Sequence, residues 1–162
     1  MIRLCSPRDI PSIYAIINDA ATAYKGHIPQ DCYHEPYMSL NEMEQEMQRV
    51  SFYGWEEDGK LLGIMGSEPI LDTTLIRHAY VLTAHQRKSI GSHLLAHLID
   101  ITKTPMLLVG TWSAAKWAIT FYQKYGFQPL FNKDELLLKY WVIPDRQRET
   151  SVVLGFNVKG GR

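Results

Sequence analysis

Leu75-Ile-Arg-His-Ala-Tyr-Val-Leu-Thr-Ala-His-Gln-Arg-Lys-Ser-Ile-Gly-Ser-His-Leu-Leu95 changes character twice along its length. Residues 75–82 are rich in β-branched, aromatic and aliphatic types, which suit a half-buried strand. From Ile90 the period changes, and Ile90, Leu94, Leu95, Leu98 and Ile99 make a helical stripe. Between the two lies the polar run Gln86-Arg87-Lys88-Ser89-Ile90-Gly91-Ser92. A loop that enters a helix in this way turns first-turn N–H groups outward at the positive end of the helix dipole. Such a site binds anions. Arg87 and Lys88 add formal charge, so a diphosphate is the natural guest.

The loop resembles the pyrophosphate loop of the GNAT superfamily of acyl-CoA N-acyltransferases, (Gln/Arg)-x-x-Gly-x-(Gly/Ala). Gln86, Gly91 and the spacing match, and Ser89 stands where the first glycine is expected. A Cβ at that position crowds the pyrophosphate or disfavours a positive φ. A second stretch, Ala118-Ile-Thr-Phe-Tyr-Gln-Lys-Tyr-Gly-Phe127, resembles the family segment Ala-x-x-(Phe/Leu)-Tyr-x-Lys-x-Gly-Phe. One departure is Ala115, where relatives often carry asparagine three residues before that alanine.

Working outward, Met1–Cys5 reads as a short strand. A helix follows with Asp9 as its N-cap, Pro11 in its first turn and Ile10, Ile13, Tyr14, Ile17, Ala21 and Tyr24 at helical spacing. Lys25-Gly-His-Ile-Pro29 stops it, and residues 25–38 form a loop rich in Asp, His, Glu and Tyr. Ser39-Leu-Asn-Glu42 is a capping-box signature opening a helix whose apolar face is Leu40, Met43, Met47 and Val50. Phe52–Glu57 and Leu61–Glu68 read as a hairpin joined by Asp58-Gly59. Beyond the central helix, Met106–Thr111 is apolar on both faces, as a buried parallel strand is. Ser113 is placed to cap a helix striped with Ala114, Trp117, Ala118, Phe121, Tyr122 and Tyr125, with Gly126 at its C′ position. Phe127–Asn132 reads as a strand, Leu136–Trp141 is ambiguous, and Glu149–Phe156 closes the sheet. The element order implies an α/β (α+β) fold: a mixed, mostly antiparallel sheet with a central parallel pair, flanked by helices. It is also the order of the GNAT fold, so the resemblance covers most of residues 1–157.

A chain of 162 residues, 46% hydrophobic and 21% charged, is expected to form one domain over 1–158 with a loose tail at 159–162. The formal net charge is zero, which implies no bulk attraction to nucleic acid or acidic membranes. Two cysteines, Cys5 and Cys32, make no disulfide framework and fit a reducing compartment. Arg3, Pro7, Arg8 and Asp9 interrupt the N-terminus, so no signal peptide is expected. No apolar run reaches the length of a membrane span. A cytoplasmic protein is the expectation, with a homodimer left open.

The resemblance implies acyl-CoA lying in the splay between the fourth and fifth strands, with direct attack by an amine on the thioester. Acetyl-CoA is the implied co-substrate, held by Ala79, Tyr80 and Val81 and by Gln86, Arg87, Lys88, Ser89, Ile90, Gly91 and Ser92. Tyr122 matches the family tyrosine that protonates the departing thiolate. An aromatic at that spacing otherwise reads as core. His78 is the candidate base, because it sits on the central strand and imidazole titrates near neutrality. His34, Glu35 and Glu68 compete for that role. Residues 24–38 match the region that shapes the acceptor pocket. Tyr24, Asp31, Tyr33, His34, Glu35 and Tyr37 are placed to grip a small polar amine, with Trp112 as a wall. His27, His34 and Glu35 lack a zinc spacing, so no metal is expected. The implied function is acetyl transfer to the amine of a small molecule. Acetylation of a protein lysine or N-terminus is one alternative, and a non-catalytic acyl-CoA-binding module is another.

Overall fold

The structure is a computed structural model and describes residues 1–158; the expected tail at 159–162 lies outside the described residues. In chain order the elements are β1 (Ile2–Leu4), α1 (Ile10–Ala20), α2 (Leu40–Arg49), β2 (Ser51–Glu57), β3 (Lys60–Ile70), β4 (Thr73–Val81), α3 (Ile90–Ile101), β5 (Met106–Trp112), α4 (Lys116–Lys124), β6 (Gln128–Pro129), α5 (Lys133–Tyr140), α6 (Asp145–Glu149) and β7 (Ser151–Asn157). The strands follow the order β1-β2-β3-β4-β5-β7-β6 in a mixed, mostly antiparallel sheet with one parallel pair, flanked by helices. A parallel pair needs a crossover connection, and α3 is long enough to supply one.

The chain forms two compact units. The first comprises Met1–Ala23, His34–Glu68 and Ile76–Thr102. In it β1 pairs antiparallel with β2, and β2 with β3. Asp58 (φ 51°) and Gly59 (φ 77°) form the β2–β3 turn, and two positive φ values are what a tight type I′ hairpin requires. The core is Ile13, Ile16, Ile17, Met43, Phe52 and Ile64, with Met38 and Val50 at its edge. α1 buries Ile13, Ile16, Ile17 and Ala20, one residue round from the expected stripe, and Tyr24 falls in a 3-10 turn beyond the helix. Asp9 does not cap α1 with its side chain. Its carboxylate accepts from the Ser6 N–H at 2.8 Å and from both Arg3 terminal nitrogens at 2.9 Å, and so closes the 3-10 turn Pro7–Asp9. The capping box on α2 is present: Ser39 accepts from the Glu42 N–H, and Glu42 accepts from the Ser39 N–H. Leu40 departs from the expected apolar face and is 49% exposed, because the first turn of α2 stands clear of the core that Met43 enters.

The second unit comprises Tyr24–Tyr33, Pro69–Leu75 and the chain from Lys103. β7 pairs antiparallel with β5 along its whole length, from Met106↔Asn157 to Trp112↔Ser151, and β6 pairs with its other side. Leu75, Leu108, Leu137, Tyr140 and Val153 form its core. Two expectations change here and one ambiguity is resolved. The strand read over Phe127–Asn132 shrinks to Gln128–Pro129, since Pro129 offers no N–H to a ladder and Phe131 points fully into solvent. The ambiguous run at 136–141 belongs to α5, which buries Leu137 and Tyr140. Ser113 does not cap α4: its hydroxyl donates to the Thr150 carbonyl at 2.9 Å, and Ala115 occupies the N-cap position. Gly126 holds φ 95° after α4, as a C′ glycine does.

Candidate active site

The diphosphate-type loop sits in the first unit, between β4 and α3. Its entry is braced from both sides. The Asp19 carboxylate accepts from the Thr83 N–H at 2.7 Å and from the Thr83 hydroxyl at 3.2 Å, tying the end of α1 to the turn after β4. The Gln86 amide donates to the Val81 carbonyl at 3.0 Å, closing the loop back on its strand. Gly63 on β3 gives α3 room to start there: a Cβ would stand 2.9 Å from Ile90 Cγ2 and 3.1 Å from Val81 Cγ2. Residues 86–89 are exposed while Ile90 is buried, so the loop is anchored by its apolar end.

The backbone of the loop is left-handed at two non-glycine residues, Arg87 (φ 69°) and Ser89 (φ 64°, ψ 16°). Ser89 is the N-cap of α3, and a left-handed residue followed by helical Ile90 turns successive N–H groups into one concavity. The crowding residue noted in the sequence therefore keeps the conformation that a glycine would take, at a cost of roughly 1–2 kcal/mol for an L-residue. Left-handed backbone at the head of α3 and the exposed Arg87 and Lys88 charges fit a bound diphosphate.

His78 lies on β4 with φ 52°, a left-handed residue inside a strand. Its ring stacks on Phe52 with centroids 6.0 Å apart and 22° between planes. Its Nε2 lies 2.5 Å from Glu46 Oε1 on α2. Burial pushes the Glu46 carboxyl up, but the His78 hydrogen bond and the charges of His78, Arg49 and Arg77 outweigh it, and the net displacement is downward. Glu46 is thus a carboxylate that accepts from Nε2–H, which orients the ring and leaves Nδ1 to act as the acceptor in the neutral form. Glu68, one of the sequence-level competitors, is committed elsewhere: it accepts from Arg77 at 2.8 Å and Arg49 at 2.9 Å. His34 Nδ1 donates to the Pro36 carbonyl at 2.8 Å, and its ring stacks on Tyr37 with centroids 6.2 Å apart. His34 and Glu35 are both exposed.

In the second unit Tyr122 is 4% exposed, the one fully buried member of the α4 stripe. Its ring meets Phe121 at 5.1 Å and Phe127 at 5.4 Å between centroids. Burial, with a smaller effect from Tyr24, pushes its phenol above the ordinary tyrosine value, so it stays protonated through the neutral range. Tyr24 stands edge-on to buried Trp112 at 6.4 Å and stacks on Trp117 at 6.1 Å. His27 meets the edge of Trp117 at 5.4 Å. Trp117, a member of the α4 stripe, is 45% exposed on this aromatic wall. Tyr33, also read as a substrate contact, follows the 3-10 turn Gln30–Cys32 in the same unit. Glu46, Asp19 and His27 carry no motif and were not singled out as site residues by sequence; Glu46 reaches His78 only through the packing of α2. Among the described residues no group of three His, Cys, Asp or Glu side chains is placed to hold a metal, and no helix is long and apolar enough to cross a membrane.

This strand order, with its loop at the start of α3, is that of the GNAT fold. The chain belongs to the acetyltransferase (GNAT) family, whose model matches residues 11–127. The peptidyl-lysine N-acetyltransferase YiaC of Escherichia coli K12 is 31% identical over 91 residues, which are 55% of this chain and 59% of that protein. The chain thus spans about three-fifths of the length of that curated relative. The fold is similar to the crystal structure of the ribosomal-protein-S18-alanine N-acetyltransferase from Escherichia coli, with TM-score 0.72 and 20% identity over 98% of this chain and 93% of that one. It is likewise similar to the PaiA N-acetyltransferase of Thermoplasma acidophilum in complex with coenzyme A, with TM-score 0.73 and 17% identity over 97% of this chain and 98% of that one.

Proposed function

We propose that the protein transfers an acetyl group from acetyl-CoA to a primary amine by direct attack, as a single catalytic domain. The observation that carries this reading is the loop at 86–92, with its left-handed Arg87 and Ser89 at the start of α3. Acetyl-CoA supplies the activated thioester; the chain binds, orients and moves protons. Arg87 and Lys88 offset the diphosphate charge, and the N–H groups at the start of α3 hydrogen-bond it. Left-handed His78 bends the backbone of β4, and a backbone N–H of the Ala79–Val81 stretch stabilises negative charge on the carbonyl oxygen. An ammonium must lose one proton to attack and a second as the amide forms. His78, oriented by Glu46, accepts one and passes it to water, and Tyr122 gives a proton to the departing thiolate and recovers the other.

The acceptor is a small-molecule amine gripped by residues of the 24–38 loop; within the second unit Tyr24 stands edge-on to Trp112. A second reading, a lysine or N-terminal amine of a protein, is favoured by the similarity to a peptidyl-lysine N-acetyltransferase and a ribosomal-protein-S18-alanine N-acetyltransferase. Calorimetry with CoA tests the site: micromolar binding is expected, weakened about tenfold or more when Arg87 and Lys88 are both replaced by Ala. No binding by the wild type overturns the function. A thiol-release assay across small amines, lysine peptides and alanyl N-terminal peptides then assigns the acceptor, and release with none of them leaves a binding module.

A further inference from the structure

Ser89 holds a backbone conformation that its Cβ disfavours, so something must maintain it. Its carbonyl oxygen is gripped twice by one residue. The His93 N–H donates to it at 3.1 Å, the first bond of α3, and His93 Nδ1 lies 2.6 Å from the same oxygen. A carbonyl only accepts, so Nδ1 carries the proton and the tautomer is fixed. The imidazole is itself positioned: it packs on Trp55 of β2 with ring centroids 5.2 Å apart, and Trp55 Nε1 donates to Glu57 at 2.9 Å. A brace therefore runs from β2 through Trp55 and His93 to the carbonyl of the left-handed residue.

We propose that His93 is the positioning residue of the diphosphate loop, doing for Ser89 what a glycine achieves by lacking a Cβ. This rests on the loop being the CoA site. His93 need not touch CoA: it fixes the orientation of the Ser89 carbonyl and, through the shared peptide plane, of the Ile90 N–H at the head of α3. A loop with glycine at 89 enters the left-handed region without steric cost and has less need of the brace.

The test is a double-mutant cycle on CoA affinity, measured by calorimetry. His93→Phe keeps a ring against Trp55 and deletes the donor, and it should weaken CoA about fivefold, the worth of one hydrogen bond. In the Ser89→Gly background the same change should cost under about twofold. His93→Asn places an amide N–H where Nδ1 was, and should restore affinity to within about twofold of wild type. His93 is exposed, so the fold survives these changes, and His93→Ala repeats the measurement without any ring. Equal losses in the Ser89 and Ser89→Gly backgrounds, no loss in either, or a loss with Asn as large as with Phe would overturn the role of His93 while the CoA site stands. Absence of CoA binding by the wild type would instead remove the function on which the proposal rests.

Discussion

Tyr122→Phe separates chemistry from packing. The substitution keeps the ring that meets Phe121 and Phe127 at 5.1 Å and 5.4 Å, and removes one oxygen. In water a phenol near 10 faces an alkyl thiol of about 8.5, so handing its proton to a thiolate is uphill by roughly 2 kcal/mol. Burial raises the phenol further, which widens the gap if the thiolate is solvated. The transfer works only where the departing sulfur is desolvated too, because the same loss of water raises the thiolate's own proton affinity. A general acid acting under those conditions contributes roughly 10²-fold or more, about 2.7 kcal/mol of barrier. Loss of one hydroxyl costs at most about 1 kcal/mol of stability. A thiol-release assay should thus show kcat down about 10²-fold, while CoA affinity by calorimetry and the melting temperature stay near wild type. If the hydroxyl were only a core group, activity would persist and stability alone would move. A fully active Tyr122→Phe enzyme refutes the general-acid role and leaves the fold and loop untouched.

Three further substitutions report on two separate parts of the molecule. His78→Gln should lower kcat/KM and flatten the acidic limb of its pH profile, with Glu46→Gln giving the same pattern in milder form, since Glu46 acts through His78; an unchanged profile assigns the base elsewhere. Asp9 is held down at about 2 from 3.8, chiefly by the Arg3 hydrogen bond, so its stabilisation is present above about pH 4 and lost as the pH falls toward 2. Asp9→Asn should cost about 1 kcal/mol at pH 7, with solvent screening allowed for, and make the fall of stability between pH 4 and 2 shallower; a curve that falls as steeply as wild type over that range would contradict it.

What the sequence made legible was whatever a short window encodes. The capping box at Ser39, the Asp58-Gly59 turn and the stripe of α3 are satisfied within a few residues, and each is found in place. The region after Gly126 was harder, because its apolar residues have no single period to obey. Phe131 points to solvent, Leu137 and Tyr140 enter a core with Val153 on β7, and β7 lies between β5 and β6. Which of those residues is buried depends on a strand more than ten positions later, and no local pattern carries that information. The same applies to α4: its stripe is periodic, yet Trp117 is exposed on an aromatic wall rather than packed in a core.

The candidate site divides along the same line. The loop at 86–92 was readable because a nest of N–H groups is built from consecutive residues, so both its charge and its turn are local. Even its apparent defect had its answer nearby. Ser89 is left-handed, and the group that grips its carbonyl is His93, one helical turn on in the same segment. His78 shows the opposite case. Its side chain was visible as a titratable group on a strand, but its orientation depends on Glu46, 32 residues away on α2. Only the packing of α2 brings that carboxylate to Nε2, and the partner fixes which ring nitrogen is left to take a proton. Residue type alone could nominate a base; it could not say which atom of the base would act.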